Sequence, residues 1–236
     1  MSSMKPSCNL PIAGLQKTTL MDFPGCLAAI VFTPGCNYDC FYCHNREVLA
    51  RPPLLAMEEV TAFLTRRQGL LEGVVVSGGE PTLHPALPDF FRMLRVMGYK
   101  TKLDTNGSAP QVLRRLMDDG LVDYMAVDLK APLLRYPEIC AHDASGLEET
   151  VALLGAFPIS WELRTTVIPQ LTLEDLQAMA PLAARAPAWF LQGYNVPPRY
   201  KPEDRFRIEA QPYSVRQLEG LAQSLRSIAP HVQVRG

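Results

Sequence analysis

Cys36, Cys40 and Cys43 stand within eight residues as Cys-x-x-x-Cys-x-x-Cys, after an apolar run and before His44-Asn45. Thiolates are soft ligands, and a four-iron cluster normally takes four of them. Three in this spacing would leave one iron without a nearby protein ligand, free to bind and activate a small molecule. Two other readings use the same residues. Zinc could recruit His44 to make a Cys3His site, although zinc favours two separated ligand pairs and the chain has no second Cys/His pair. A closed four-cysteine cluster could instead borrow Cys8, Cys26 or Cys140. If it does not, these three cysteines are plain thiols that pack as small hydrophobes.

Further polar groups follow other apolar runs. Gly78-Gly79-Glu80 comes after Val74-Val75-Val76. Glycines there let backbone approach a ligand, and carbonyls beside them can accept hydrogen bonds from an ammonium group; paired glycines also mark tight turns. Asp104-Thr105-Asn106-Gly107 and Asp128-Leu129-Lys130 close two more runs, and Gln192 and Asn195 close the last. An isolated aspartate is most often a cap or a solvated loop residue, and Asn-Gly reads as a turn. Arg164 falls inside a run and would be costly to bury without an anion. A bridge to Glu162 is set aside because neighbouring strand residues face opposite sides.

The elements that must carry these groups alternate. Apolar runs at 27–33, 72–77, 100–104, 122–129, 160–168 and 188–194 predict strands, the first bounded by Gly25 and Pro34. Helical patterns lie near 57–69, 85–98, 110–119, 146–156 and 172–185, and a final amphipathic helix is predicted over 213–228. Alternation of this kind predicts an α/β fold with a parallel sheet and right-handed crossovers. Six units are too few for a closed eight-fold barrel, so the expected fold is an open (β/α)6 partial barrel in a single domain spanning 1–236. Its core would be about 26–195, with 1–26 as an N-terminal extension, 195–212 as a Pro-rich loop, and the loop and last helix completing 196–236. Ligands of parallel α/β sheets sit at the carboxyl ends of strands, where the residues above cluster.

Composition narrows the function classes. The chain has 236 residues, is 47% hydrophobic and 20% charged, and carries a net charge of −1. This is the make-up of an ordinary globular protein, with no electrostatic footprint for nucleic acid or an anionic membrane. No apolar stretch approaches spanning length and no secretory signal is evident, so the expected location is the cytoplasm. Six cysteines, three of them clustered, do not make a disulfide framework in a chain this long.

The triplet with Tyr42 just before its third cysteine resembles the radical S-adenosylmethionine (SAM) enzymes. Gly14-Leu15-Gln16-Lys17-Thr18-Thr19, Asp22-Phe23-Pro24-Gly25 and His44-Asn45 resemble the opening of the glycyl-radical-enzyme activases. The anaerobic ribonucleoside-triphosphate reductase activating proteins are the nearest in pattern, with the pyruvate formate-lyase activases related. The resemblance implies the partial-barrel fold, one 4Fe–4S cluster on Cys36, Cys40 and Cys43, and SAM as cosubstrate. It gives Gly78, Gly79 and Glu80 the amino group of SAM, Tyr42 the adenine and Arg164 the carboxylate. Asp104, Thr105, Asp128 and Lys130 would hold SAM and a monovalent cation. The implied partners are a glycyl radical enzyme and a flavodoxin- or ferredoxin-type electron donor. One departure is that Gln192 stands where pyruvate formate-lyase activases have a histidine, and His142 and His231 do not fit that place. The alternatives are a small-molecule radical SAM enzyme such as a carboxy-deazaguanine synthase, or a zinc- or cluster-stabilised binding module.

Overall fold

The computed structural model describes residues 9–49 and 52–235, so Cys8 lies outside the described residues. Eight strands hydrogen-bond in chain order: β1 Gly14–Thr19, β2 Ala28–Thr33, β3 Gly73–Gly78, β4 Lys100–Thr105, β5 Tyr124–Asp128, β6 Ser160–Val167, β7 Trp189–Gly193 and β8 Val232–Arg235. The six strands predicted from apolar runs are β2 to β7. Helices Met57–Arg67, Leu87–Val96, Pro110–Asp118, Leu147–Ala156, Leu173–Ala183 and Val215–Leu225 occupy the predicted places. The fold is an open α/β sheet.

The chain divides into two compact units. The first runs to Cys36, resumes over Glu47–Thr105 and ends with Gln111–Met125. Here β2, β3 and β4 are parallel and in register, with Val31 opposite Val76 and Val76 opposite Leu103. All three residues are fully buried, as expected of strands covered on both faces. Beneath them Phe23, Cys26, Ala28, Ile30 and Val75 form one apolar cluster. Cys26 is thus a packing residue, and burial raises its thiol pKa.

The N-terminal extension is not only an extension. Its residues 14–19 form β1, which pairs antiparallel with β2 from Gly14 opposite Phe32 to Thr19 opposite Ala28. Gly-Leu-Gln-Lys-Thr-Thr has no apolar run to announce it, because an edge strand keeps its exposed face polar.

The second unit comprises Asn37–Arg46, Asn106–Pro110 and the chain from Ala126 onward. In it β6, β7 and β8 are parallel. Strand β8, four residues long, is also absent from the apolar runs. Its Arg235 explains how so short a strand is held. The guanidinium donates to both carboxylate oxygens of buried Glu162, at 2.8 and 2.9 Å, and stacks 3.6 Å over the Phe190 ring. This fork is the strong, bidentate form of the interaction. The Pro-rich segment contains a short helix, Arg205–Ile208.

Candidate active site

In the first unit the Gly-Gly-Glu corner seats the backbone that leads into Cys36. Gly78 adopts φ +120, open only to glycine, and a Cβ there would lie 2.3 Å from the Thr33 nitrogen. A Cβ on Gly79 would lie 1.7 Å from the Gly35 oxygen. This close approach lets Gly79 N–H donate to the Thr33 carbonyl and Glu80 N–H to the Gly35 carbonyl, both at 2.9 Å. The Nε2–H of His84 donates to the Pro34 carbonyl at 2.9 Å. Three consecutive carbonyls before the first cysteine are therefore fixed by the 79–84 segment.

Glu80 itself is fully buried. Its Oε1 accepts from Thr82 N–H at 3.1 Å, Thr82 Oγ1 at 2.6 Å and Thr105 Oγ1 at 2.7 Å. The carboxylate thus joins the end of β3 to the end of β4. Two residues before Thr105's neighbour Asp104, the ammonium of Lys102 pairs with the Asp104 carboxylate. Lys102 is 1% exposed and lies 5.8 Å from the Tyr124 ring centroid. Sequence reasoning passed over Lys102. Its signal was the period of two in Lys100, Lys102 and Asp104, which share one face of β4.

In the second unit the cysteine loop is anchored from several sides. Arg46 donates from Nη1 to Asp39 at 2.9 Å and from Nη2 to the Cys40 carbonyl at 2.7 Å, and Lys201 pairs with the other Asp39 oxygen. The Lys201 and Arg46 bonds hold the Asp39 carboxyl below its usual pKa range. The Arg207 guanidinium lies 3.7 Å over the Phe41 ring. Asn37 donates to Ser108 Oγ at 3.0 Å and accepts from Asn106 at 2.8 Å, so the Asn-Gly turn ties to this loop. Tyr42 is buried with its ring edge against Phe41.

Asp128, Lys130 and Arg164 meet in one cluster. Asp128 accepts from Lys130 Nζ at 3.0 Å, and from Arg164 Nη2 and Nε at 3.0 and 3.2 Å. Burial works against the charged Asp128 carboxyl, yet Lys130 and Arg164 outweigh it and bring its pKa down to about 2. Burial likewise opposes the charge on Lys130, but Asp128 prevails and its pKa lies well above the usual value. The anion that Arg164 needs is thus present within the fold. The argument that kept Glu162 from Arg164 needs correcting, since residues two apart on a strand share a face. What separates them is partner choice: Glu162 takes Arg235 and Arg164 takes Asp128.

Cys36, Cys40 and Cys43 are all free of disulfides. Among the described residues no three His, Cys, Asp or Glu side chains converge as they would around a single ion. His44, the fourth ligand of the zinc reading, has its ring against that of Tyr194, centroids 6.5 Å apart.

The family model of the radical SAM superfamily matches residues 30–183, which include the cysteine loop and the ends of β2 to β6. The chain belongs to the radical SAM superfamily. This radical SAM enzyme is 29% identical over 210 residues to a Methanocaldococcus jannaschii protein provisionally named a glycyl-radical enzyme activating enzyme, covering 84% of this chain and 83% of that one. It is 28% identical over 172 residues to the pyruvate formate-lyase-activating enzyme of Clostridium pasteurianum, covering 68% and 70% of the two chains. Streptococcus suis SuiB, solved bound to S-adenosylmethionine, shares the fold with a TM-score of 0.67 at 13% identity; 88% of this chain matches, over 52% of that longer one.

Membership implies a four-iron cluster and SAM. The donor set fits the cluster: three cysteines outside any disulfide lie on a loop whose entry is fixed by glycine contacts that no side chain could share. The hydrogen bond between the Cys40 thiol and Cys140, with Cys40 donating, raises the Cys40 pKa, as does burial; burial raises that of Cys43, and the Lys130 charge opposes both shifts. A cluster bound there would displace those protons, and the Lys130 charge would favour the resulting thiolates. No helix among the described residues is long and apolar enough to cross a membrane.

Proposed function

We propose that this radical SAM enzyme is an activase that places a glycyl radical on a partner enzyme, with anaerobic ribonucleotide reductase as the partner. When bound, the cluster and SAM supply the reducing electron and the methionine and 5′-deoxyadenosyl fragments into which SAM divides. The residues of this chain bind and orient. Cys36, Cys40 and Cys43 hold the cluster; the carbonyls of Gly78 and Gly79 and the Glu80 corner accept the SAM amino group; Tyr42 borders the adenine. Asp104, Thr105, Asp128 and Lys130 line the SAM site, and Arg164 steers its carboxylate. The observation that carries this reading is the match over 84% of the chain to a relative named as an activating enzyme. Gln192, in place of the histidine of pyruvate formate-lyase activases, favours the reductase over pyruvate formate-lyase. A flavodoxin- or ferredoxin-type protein would deliver the electron, and the location would be the cytoplasm.

The monovalent cation raised by the resemblance is better replaced by side chains. Asp104 already holds Lys102, and Asp128 holds Lys130 and Arg164. We infer that these fixed cations do the work of a bound one, so SAM affinity should be the same in potassium and in tetramethylammonium buffer; strong potassium dependence would reject this. The activase reading is tested by incubating the reconstituted chain with the iron-free partner reductase, SAM and reductant. A glycyl radical in the electron paramagnetic resonance (EPR) spectrum supports it. SAM cleavage without a protein radical favours a small-molecule enzyme.

A further inference from the structure

Cys140, which the sequence offers as a plain thiol or a fourth cluster ligand, lies beside Cys40 in the structure. It is the last residue of the short helix Tyr136–Cys140 and is fully buried. Two backbone bonds fix its segment to the cysteine loop: Asp39 N–H donates to the Cys140 carbonyl at 2.9 Å, and Phe41 N–H to the Ile139 carbonyl at 3.3 Å. Cys40 lies between those two donors. The side chains of Cys40 and Cys140 are hydrogen-bonded to each other. The turn that sets this geometry is strained. Ala141, directly after Cys140, has φ 52, the one positive φ on a non-glycine among the described residues. A left-handed alanine is strained and persists where the surroundings over-determine it.

A thiol beside a bound cysteinate has one role open to it. When Cys40 is a thiolate it can only accept, so the Cys140 S–H becomes the donor. Hydrogen bonds to cluster sulfurs withdraw charge and are among the protein's means of setting reduction potential.

We propose that Cys140 is a positioning residue for the cluster, its S–H donating to the Cys40 sulfur and making the cluster easier to reduce. This rests on the reading that Cys40 is a cluster ligand and adds that the fourth thiol of the site tunes the cluster without binding it. The full chain, reconstituted anaerobically without SAM or partner, provides the test. Iron per chain is assayed, and the cluster is titrated potentiometrically by EPR. Cys140→Val, apolar and of similar size, should keep the wild-type iron content and shift the midpoint to a more negative potential. Cys140→Ser, which restores an O–H donor, should recover part or all of the shift. The wild-type chain gives a second measurement that needs no variant: its Fe–S(Cys) Raman bands should shift in D2O. Equal potentials for wild type and Cys140→Val, or no deuterium shift, overturn the proposal and leave Cys140 a packing residue. Loss of iron in Cys140→Val and Cys140→Ser also overturns it, by making Cys140 a fourth ligand. Failure of the wild type to take up iron would instead refute the cluster reading beneath it.

Discussion

Replacing Gly79 with alanine strikes the contact on which the cysteine loop rests. The new Cβ would lie 1.7 Å from the Gly35 oxygen and 2.5 Å from its carbonyl carbon. Real Cβ atoms essentially never come within 3.0 Å of another heavy atom, so the backbone must open by about 1.3 Å. Both neighbours are main chain, so no rotamer can relieve the clash. Overpacking of this kind costs about 1–3 kcal/mol. The Glu80-to-Gly35 bond that must break adds about 0.5–1.5 kcal/mol. A total of about 2–4 kcal/mol lowers Tm by roughly 5–15 °C in a chain of this size. Because Gly35 precedes Cys36, iron uptake should fall too. Gly220 supplies the control: it lies inside helix Val215–Leu225, and a Cβ there meets nothing within 4 Å. Gly220→Ala should raise stability by about 0.5–1 kcal/mol through helix propensity alone. The assay is thermal unfolding of the iron-free chains by circular dichroism, followed by iron content after reconstitution. A Gly79→Ala protein with wild-type Tm and full iron content would refute the reasoning.

Other outcomes follow from the same geometry. Alanine at Cys36, Cys40 or Cys43 should abolish iron uptake, whereas Cys26→Ala should leave it intact and lower only Tm; iron analysis separates them. Arg164→Ala should retain the cluster and weaken SAM binding by about 1.5–3 kcal/mol, roughly 10- to 150-fold, with only partial rescue by lysine; unchanged affinity by calorimetry would reduce Arg164 to a partner of Asp128. The Asp128 carboxyl, depressed from 3.8 to about 2, contributes stability that is fully present above pH 3.8 and is lost as pH falls towards 2. The gap in stability between wild type and Asp128→Asn should therefore narrow across that window in acid unfolding, and a constant gap would contradict the assignment. Arg235→Ala should destabilise the chain strongly, by about 3–5 kcal/mol, because it strips a buried carboxylate of its bidentate partner; a Tm within 2 °C of wild type, about 1 kcal/mol or less at this size, would show that β8 is held by its ladder alone.

Apolar runs carried the fold because β2 to β6 each bury at least three consecutive residues, while β7 buries Trp189 and Leu191 in alternation. Strand β1 escaped because an edge strand needs polar residues, and β8 because Val-Gln-Val-Arg alternates over only four residues, too short a stretch to stand out. That Gly-Gly-Glu makes a tight corner at the end of β3 was legible since the glycine signal is local. The partners of Asp104 and Arg164 were less so. Lys102 could have been found from strand period alone, but the pairing of Arg164 with Asp128 depends on β5 and β6 lying side by side. Cys140 was the least legible. A lone cysteine among His and Asp residues gives no sign that a five-residue helix and a left-handed alanine will bring it against Cys40.

The activity proposed for this chain is the direction of a radical to a glycine of another protein. The most direct measurement uses the partner reductase grown with Cα-deuterated glycine, mixed anaerobically with the reconstituted chain, SAM and reductant, followed by mass spectrometry of the 5′-deoxyadenosine released. Transfer of one deuterium into 5′-deoxyadenosine, in step with the appearance of a protein radical, is the predicted result. Unlabelled 5′-deoxyadenosine formed at the same rate with and without the reductase would contradict it.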